Sequence, residues 1–232
     1  MYKNHLHFKT PENNTVVWRY LSFAKFMSLI NERQLYFARK DKFFDSFEGT
    51  LSTPDIDFFE RVNPDLIREL PGCAFINCWI ISDIELYLMW SAYSSLDEGI
   101  AIKTNIGNII KSLDPNDKRE VYISDVKYLD YINDSTIDKT NGSANLLAPF
   151  FCKRKYFQQE NELRLVYYDY QKSYNDNTFG IRFDVDINAL IDEVWVSPQA
   201  NEWFTRIVQN ELRLHKINKT IKRSVLIHEK QI

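Results

Sequence analysis

The sequence predicts an α+β protein built on a mixed, mostly antiparallel sheet with flanking helices. Short runs rich in β-branched and aromatic residues recur along the chain. They mix with amphipathic helical segments without the strict alternation of βαβ units. The length of 232 residues suffices for one hydrophobic core, so we expect residues 1–232 to form a single domain.

The predicted strands are short segments of apolar, β-branched and aromatic residues bounded by turn formers. They lie at residues 16–20, 35–39, 73–81, 99–103, 121–128, within 153–168, and at 179–185, 193–196 and 223–227. The segment CAFINCWII, residues 73–81, is nearly continuously apolar. An apolar run of that length is typical of a strand buried on both faces, which predicts a central strand.

The predicted helices begin at polar residues that can cap an N-terminus. These capping residues are Ser22, Ser82, Asn105 and Asn201. Ser82 is followed at the third position by Glu85, and this pair predicts a capping box that opens a helix running through Tyr93. Residues 54–70 have a helical pattern, with Pro54 and Pro64 near the helix starts.

Three segments are predicted to be irregular. Residues 1–14 form a polar lead-in, and residues 129–145 are polar and rich in turn formers, which predicts a surface excursion. Residues 41–49 form a phenylalanine-rich loop that carries acidic residues and ends at Gly49. We expect this loop to be solvated, to be anchored by its rings, and to use Gly49 for a backbone angle that other residues resist.

Composition excludes several functional classes. The net charge of −3 argues against a nucleic-acid contact over the whole surface and leaves only a local basic patch open. The three cysteines have no zinc-ligand spacing, so we expect reduced thiols and no bound metal. No apolar run approaches the ~18 residues of a membrane span, and no signal peptide is evident, so the expected location is the cytoplasm.

The stretch KRKYFQQENELRLVYY, residues 153–168, carries the strongest candidate for a site. Alternation along a strand would place Glu160, Glu162 and Arg164 on one face and the apolar residues on the other. Two carboxylates and an arginine on one strand could form a site, and they could equally be a solvated strand face. The pattern alone leaves both interpretations open.

Eight blocks of the sequence follow one another in a recognisable order. The blocks are Trp18-Arg19-Tyr20, Leu35 to Arg39, Asp45 to Gly49, Asn77-Cys78-Trp79, Met89 to Tyr93, Gly99 to Ile102, Lys155-x-Phe157-x-x-Glu160-x-Glu162-x-Arg164, and Val196-Ser197-Pro198. Together they resemble the domain-of-unknown-function family 2971. The resemblance covers roughly residues 16–210 and departs from the family at Ser46, where we expect proline.

The order of these blocks is also similar to that of ADP-ribosyltransferase-like domains, which occur in bacterial toxins and phage-defence effectors. This second resemblance implies an ADP-ribosyltransferase-like fold and NAD as the substrate. It implies catalytic roles for Glu162 and Glu160 and NAD-binding roles for Arg19, Tyr20, Tyr36 and Arg164. The acceptor would be a nucleic acid or a protein, and a partner protein could regulate the activity.

These residue types suit the cleavage of the nicotinamide–ribose bond of NAD. An oxocarbenium-like transition state needs a nearby carboxylate, for which Glu162 is the candidate, while Glu160 would activate the acceptor. An arginine fork such as that of Arg19 matches a diphosphate, and Arg164 would keep Glu162 ionised and oriented.

Two other hypotheses stay open at this point. In a nuclease, residues 153–155 would hold phosphate. Metal ligands or a base would come from Glu160, Glu162, Asp45 and Glu48. In a non-catalytic sensor or partner-binding module, the many aromatic residues would form an interface.

Overall fold

The computed structural model describes residues 1–43, 45–137, 145–169, 174–175 and 177–226. The chain divides into two compact units. The first unit comprises Met1–Pro11, Tyr36–Cys78 and Asn116–Arg182, and the second comprises Glu12–Leu35, Trp79–Pro115 and Phe183–Ile232.

The α+β class and the mostly antiparallel sheet are confirmed. The strands are β1 (Val16–Ser22), β2 (Gln34–Arg39), β3 (Ala74–Ile81), β4 (Gly99–Asn105), β5 (Val121–Asp125), β6 (Lys127–Leu129), β7 (Cys152–Arg154), β8 (Glu162–Tyr168), β9 (Gly180–Asp184), β10 (Glu193–Val196) and β11 (Thr220–Arg223). The α-helices are α1 (Phe23–Glu32), α2 (Thr53–Val62), α3 (Pro64–Glu69), α4 (Tyr87–Tyr93), α5 (Ile106–Ser112), α6 (Ile187–Leu190) and α7 (Glu202–Leu214).

In the second unit the strands follow the order β11-β10-β4-β1, and the end of β3 pairs with β1. Strands β1 and β4 pair antiparallel along their whole length. A cluster of buried aromatic side chains covers this sheet, with Trp18, Tyr20 and Trp90 at its centre. Such rings bury a large apolar area and hold the sheet and α4 together.

In the first unit β8 lies between β5 and β3, and β2 and β9 follow on the far side of β3. The short strands β6 and β7 form a separate parallel pair. A core of buried apolar residues that includes Leu51, Phe150 and Val166 packs on this unit's strands. Both faces of β8 are buried over its first five residues, as expected for a central strand.

Local sequence signals located most elements correctly. Ser22 and Asn105 cap α1 and α5 by accepting hydrogen bonds from the backbone N–H groups of Lys25 and Asn108. Gly49 has φ +61°, the left-handed angle expected for it. Among the helices in the described part of the chain, none combines the length and the apolarity of a membrane span.

The predicted capping box at Ser82 is wrong, because α4 begins only at Tyr87. The Glu85 carboxylate accepts a hydrogen bond from Trp90 Nε1 at 3.0 Å and another from the Val225 N–H at 2.9 Å. The Glu85 carboxylate therefore forms tertiary hydrogen bonds instead of capping a helix. The Ser82 hydroxyl forms hydrogen bonds with the backbone of Ile84 in a turn.

The strand predicted at 121–128 is interrupted at Val126, whose N–H donates to the carbonyl of Glu162 at 2.9 Å. The last strand ends at Arg223 rather than beginning there. Its partner β10 ends at Val196, which pairs with Arg223 as the last pair of this parallel ladder. Residues 224–226 are not strand, and residue 227 lies outside the described residues.

Within the predicted surface excursion at 129–145, residues 132–135 are exposed, but other residues pack inward. Tyr131, Thr136 and Ile137 are buried. Asp55 at the start of α2 accepts hydrogen bonds from the Thr136 N–H at 2.7 Å and from the hydroxyl of Ser135 at 2.6 Å, and these bonds hold the segment inward. Residues 138–144 of this prediction lie outside the described residues.

Candidate functional site

The candidate site begins where the chain enters β8. Residues Lys155–Glu160 form a 3₁₀ helix, and Asn161 then takes a left-handed conformation with φ 43° before β8 starts at Glu162. The prediction that Glu160 shares a strand face with Glu162 is therefore wrong. Glu160 ends a helical turn instead, and the reversal at Asn161 brings its carboxylate to the same cation as Glu162.

That cation is Lys153, at the centre of a group of five charged residues. Its ammonium Nζ lies 2.8 Å from Glu48 Oε1, 2.7 Å from Glu160 Oε2 and 2.8 Å from Glu162 Oε1. The guanidinium of Arg164 donates from Nε to Glu162 Oε2 at 2.8 Å and from Nη2 to Glu48 Oε2 at 3.0 Å. We call Glu48, Lys153, Glu160, Glu162 and Arg164 the carboxylate cluster.

Three members of the carboxylate cluster are buried, and Glu48 and Glu160 are mostly buried. Glu162 is 4% exposed, Lys153 is 3% exposed and Arg164 is fully buried. The alternative interpretation of a solvated strand face is thus wrong for Glu162 and Arg164. Buried charges need partners, because desolvation without compensation costs several kcal/mol per ion. The cluster meets this requirement by giving each cation at least two carboxylates.

These partners keep Glu162 and Lys153 ionised. Burial opposes the charged form of Glu162, but the neighbouring charges of Arg164 and Lys153 outweigh it and lower the pKa of this carboxyl. Burial likewise opposes the charged form of Lys153, but Glu162 and Glu48 raise its pKa. A side-chain hydrogen bond with Glu160 also lowers the pKa of Glu162.

Neighbouring groups fix the orientation of the cluster. The backbone N–H of Glu162 donates to the hydroxyl of Tyr128 at 2.9 Å, and Arg164 Nη1 donates to the carbonyl of Phe150 at 3.0 Å. The ring of Phe157 lies 4.9 Å from the Lys153 ammonium in a cation–π arrangement. The cluster therefore has little freedom to rearrange.

The loop at Asp45–Gly49 brings Glu48 to the cluster. Asp45 accepts a hydrogen bond from the Phe47 N–H at 2.9 Å and pairs with Arg154 at 3.0 Å. A Cβ on Gly49 would lie 3.1 Å from both Lys40 Cγ and Phe150 Cδ1, so the tight turn after Glu48 needs glycine. The loop at 41–49 was expected to be solvated and anchored by its rings, but its three acidic side chains are engaged in ion pairs with the protein, and the ring of Phe47 is exposed.

Three of the predicted site residues, Glu160, Glu162 and Arg164, meet in the carboxylate cluster. Tyr36 belongs to the same unit and is 39% exposed. The guanidinium of Arg182 lies 5.6 Å from its ring centroid.

The other two predicted site residues, Arg19 and Tyr20, belong to the second unit and have local partners there. The Arg19 guanidinium lies 5.7 Å from the centroid of the Trp79 ring. Tyr20 is buried, and its hydroxyl accepts a hydrogen bond from the Leu86 N–H at 2.9 Å.

Sequence reasoning missed the central roles of Lys153 and Glu48. Lys155, which matches the lysine of the family block, pairs instead with Asp130 near the surface. The available signal for Lys153 was its place in a short strand just before the Glu160–Arg164 block. For Glu48 the available signal was its place in the Asp-Ser-Phe-Glu-Gly loop, a segment that otherwise indicates only a turn.

Among the described residues, no group of three or more His, Cys, Asp or Glu side chains has the arrangement of a metal site. The Lys153 ammonium occupies the point where the carboxylates of the cluster converge. The nearby thiol of Cys78 stays protonated, because burial and the charge of Glu162 raise its pKa to about 12. A thiolate nucleophile is therefore not part of this site.

Three comparisons relate the chain to known proteins. No curated protein matches its sequence. The structure is similar to that of Thermus sp. 2.9 DarT in complex with carba-NAD+, with 12% sequence identity and a TM-score of 0.40, over 92% of this chain and 96% of that chain. The family model of DUF2971, a family of unknown function, matches residues 89–165 and confirms the first predicted resemblance. Four of the five members of the carboxylate cluster lie in this matched segment, and only Glu48 lies outside it.

Proposed function

We propose that this protein cleaves the nicotinamide–ribose bond of NAD, as an ADP-ribosyltransferase or NAD glycohydrolase, with the carboxylate cluster at the reaction centre. One observation carries the proposal. Glu160 and Glu162 are brought to one ammonium group in a buried site, and Glu162 is held ionised there. A fixed carboxylate of this kind suits a reaction whose transition state gains positive charge.

The proposed reaction follows from those charges. Nicotinamide leaves with the electron pair of the glycosidic bond, and positive charge develops on the ribose ring. The negative charge of Glu162 stabilises this ring, and the low local dielectric strengthens the effect. An acceptor hydroxyl, amine or water then attacks the ribose carbon and gives its proton to a base.

We assign the role of base to Glu160. Its side chain is 14% exposed, whereas that of Glu162 is 5% exposed, so Glu160 is the more accessible of the two carboxylates. Glu162 then acts as the electrostatic stabiliser. Arg164 is fully buried with protein partners, so it acts on NAD only through Glu162.

The remaining roles are assigned residue by residue. We propose Tyr36 as the contact for the nicotinamide or ribose, because its ring is partly exposed. Tyr20 is buried with its hydroxyl engaged, so packing is its expected contribution. Arg19, in the second unit, keeps its proposed role on the NAD diphosphate, because the guanidinium fork matches phosphate. The proposed acceptor is a nucleic acid or a protein, and the proposed setting is a cytoplasmic toxin or phage-defence effector.

The metal-dependent nuclease hypothesis is less well supported. Glu48, Glu160 and Glu162 each already contact Lys153, and two of them also contact Arg164. A divalent cation would have to displace a lysine that three carboxylates hold.

Nicotinamide release from NAD tests the proposal, with purified protein assayed alone and with added cell lysate. We expect Glu160→Gln to lower the rate by about 10²–10⁴-fold, the usual contribution of a positioned base. The amide is nearly isosteric and leaves Glu48 and Glu162 on Lys153. Glu120→Gln serves as the control, because Glu120 pairs with Lys3 in the same unit and more than a third of each side chain is exposed.

Full activity of Glu160→Gln would contradict the assigned base. No release by the wild type with any lysate would overturn the proposed reaction itself. Removing Glu162 is a poorer test, because it leaves Arg164 and Lys153 buried with fewer partners and threatens the fold.

A further inference from the structure

The second unit contains an open pocket of ≈ 610 Å³ where α7 ends and the chain turns into β11. Leu212, Ile217 and Ile221 supply an apolar surface, and the first two of them are 2% and 4% exposed. The other described lining residues are polar or cationic, and they are Gln209, Asn218, Arg213, Lys216 and Lys219. The pocket therefore combines an apolar floor with cationic side chains.

This pocket concentrates positive charge in a chain whose net charge is −3. Residues 206–223 contain six lysines and arginines but one carboxylate, that of Glu211. No acidic side chain is among the described lining residues, and no described carboxylate pairs with Arg213, Lys216 or Lys219. An anion in the pocket gains attraction from three cations that otherwise repel one another. This is the local basic patch that the overall composition left open.

The turn after α7 also bears on this charge. The Ile217 N–H donates to the Leu212 carbonyl at 2.8 Å, which closes the last turn of the helix. Lys216 has φ 56° there, a left-handed conformation that glycine adopts most readily at a helix C-terminus. A side chain at such a φ costs stability. The chain thus carries a lysine in the pocket lining at a position where glycine would be less strained.

We propose that this pocket is a binding site for a nucleoside diphosphate, with the two phosphates at the cations and the base on the apolar floor. Two linked phosphates carry about three negative charges at neutral pH, which matches the three cations. The amides of Gln209 and Asn218 can each donate and accept hydrogen bonds, as the edge of a base requires. At roughly 30 Å³ for each water-sized group, ≈ 610 Å³ accommodates about twenty non-hydrogen atoms, the size of one nucleotide.

The size of the pocket and its surroundings distinguish this ligand from two others. NAD contains two nucleotides and exceeds the volume, and none of the described lining residues belongs to the carboxylate cluster or to the predicted NAD contacts. A nucleic-acid strand would need further cations beyond the pocket. Two candidates, Lys222 and Arg223, are instead bonded to Glu193 and to the carbonyl of Ala200. Binding to this pocket therefore does not depend on the proposed enzymatic function.

Isothermal titration calorimetry of the full chain measures the Kd of ADP, of adenosine and of pyrophosphate. We expect ADP to bind at least tenfold more tightly than either of the other two, because only ADP contacts both the cations and the apolar floor. Arg213→Gln combined with Lys219→Gln should weaken the binding of ADP at least tenfold, because each substitution removes a charge-assisted contact to phosphate. The same variant should bind adenosine as the wild type does.

Lys25→Gln combined with Lys111→Gln is the matched control. Both lysines are exposed, lie in the same unit and are outside the pocket lining, so this pair removes the same charge elsewhere. The control should leave the Kd of ADP unchanged. Thermal melting checks that both double variants are folded.

Absence of ADP binding by the wild type would overturn the proposal, and the cations would then only stabilise the C-terminal end of α7. Equal weakening by the two double variants would also overturn it, because net charge alone would then explain the binding. Pyrophosphate that binds as tightly as ADP would contradict the contact with the apolar floor. Tighter binding of a short thymidylate strand than of ADP would overturn the proposed ligand in favour of a nucleic acid. Nicotinamide release plays no part in these measurements, so failure of this site is distinguishable from failure of the proposed enzymatic function.

Discussion

Lys153 and Glu162 form a buried ion pair, with 2.8 Å between Nζ and Oε1, although they are nine positions apart in the chain. Glu48 and Glu160 share the same ammonium group. One lysine therefore joins the loop after β2, the 3₁₀ helix before β8 and the first residue of β8. Both the stability of the first unit and the proposed chemistry depend on this relationship.

Lys153→Met is expected to lower the free energy of unfolding by about 3–5 kcal/mol, because it removes the common partner of three carboxylates and leaves them buried. Urea denaturation measures the change. Lys155→Met is the matched control two residues away, since its ion pair with Asp130 is half exposed, and we expect little change. Equal effects of the two substitutions would contradict a central role for Lys153.

Glu162 should make the protein less stable in acid. Its pKa in the folded protein lies below the ordinary value of 4.5, so folding favours the ionised form. This contribution is present in full above the pKa of the unfolded chain and is lost as the pH falls through the folded-state pKa. Unfolding curves at a series of pH values below 4.5 should show the loss in wild type. Glu162→Gln, if it folds, should show a shallower dependence on pH.

Gly49→Ala is expected to destabilise the protein by about 2 kcal/mol. A left-handed φ of +61° strains any residue with a Cβ, and the new atom would press on Lys40 and Phe150 at 3.1 Å. Gly72→Ala is the control, because no atom lies within 4 Å of a Cβ there. If both alanine variants melt at the wild-type temperature, the turn does not need glycine to hold Glu48.

Asp55→Asn is expected to lower the free energy of unfolding by about 3 kcal/mol, because an amide nitrogen would face donors that now meet a carboxylate. One oxygen, Oδ2, accepts from the hydroxyls of Ser52 and Thr136 and from the Thr136 N–H. Hydrogen exchange at Thr136 should become faster in the variant. Asp57→Asn, on the exposed side of the same helix, should leave both quantities unchanged.

The sequence by itself determined the elements whose signals are local. The cap at Ser22, the apolar run of β3 and the left-handed turn at Gly49 each depend on residues within a few positions, and all three were predicted correctly. The Glu160–Arg164 block was also identified, because charged residues in an otherwise apolar segment are conspicuous without a structure.

Only the tertiary structure decided what those charged residues do. Whether Glu162 and Arg164 face water or the core depends on the strands beside β8, and alternation along one strand contains no information about its neighbours. Glu48, which pairs with Arg164, is 116 positions away in the chain, so no rule of sequence spacing could have predicted this ion pair. Charges become a buried, fully paired cluster only when distant segments supply opposite charges together, and that is a property of the fold rather than of any one stretch of sequence.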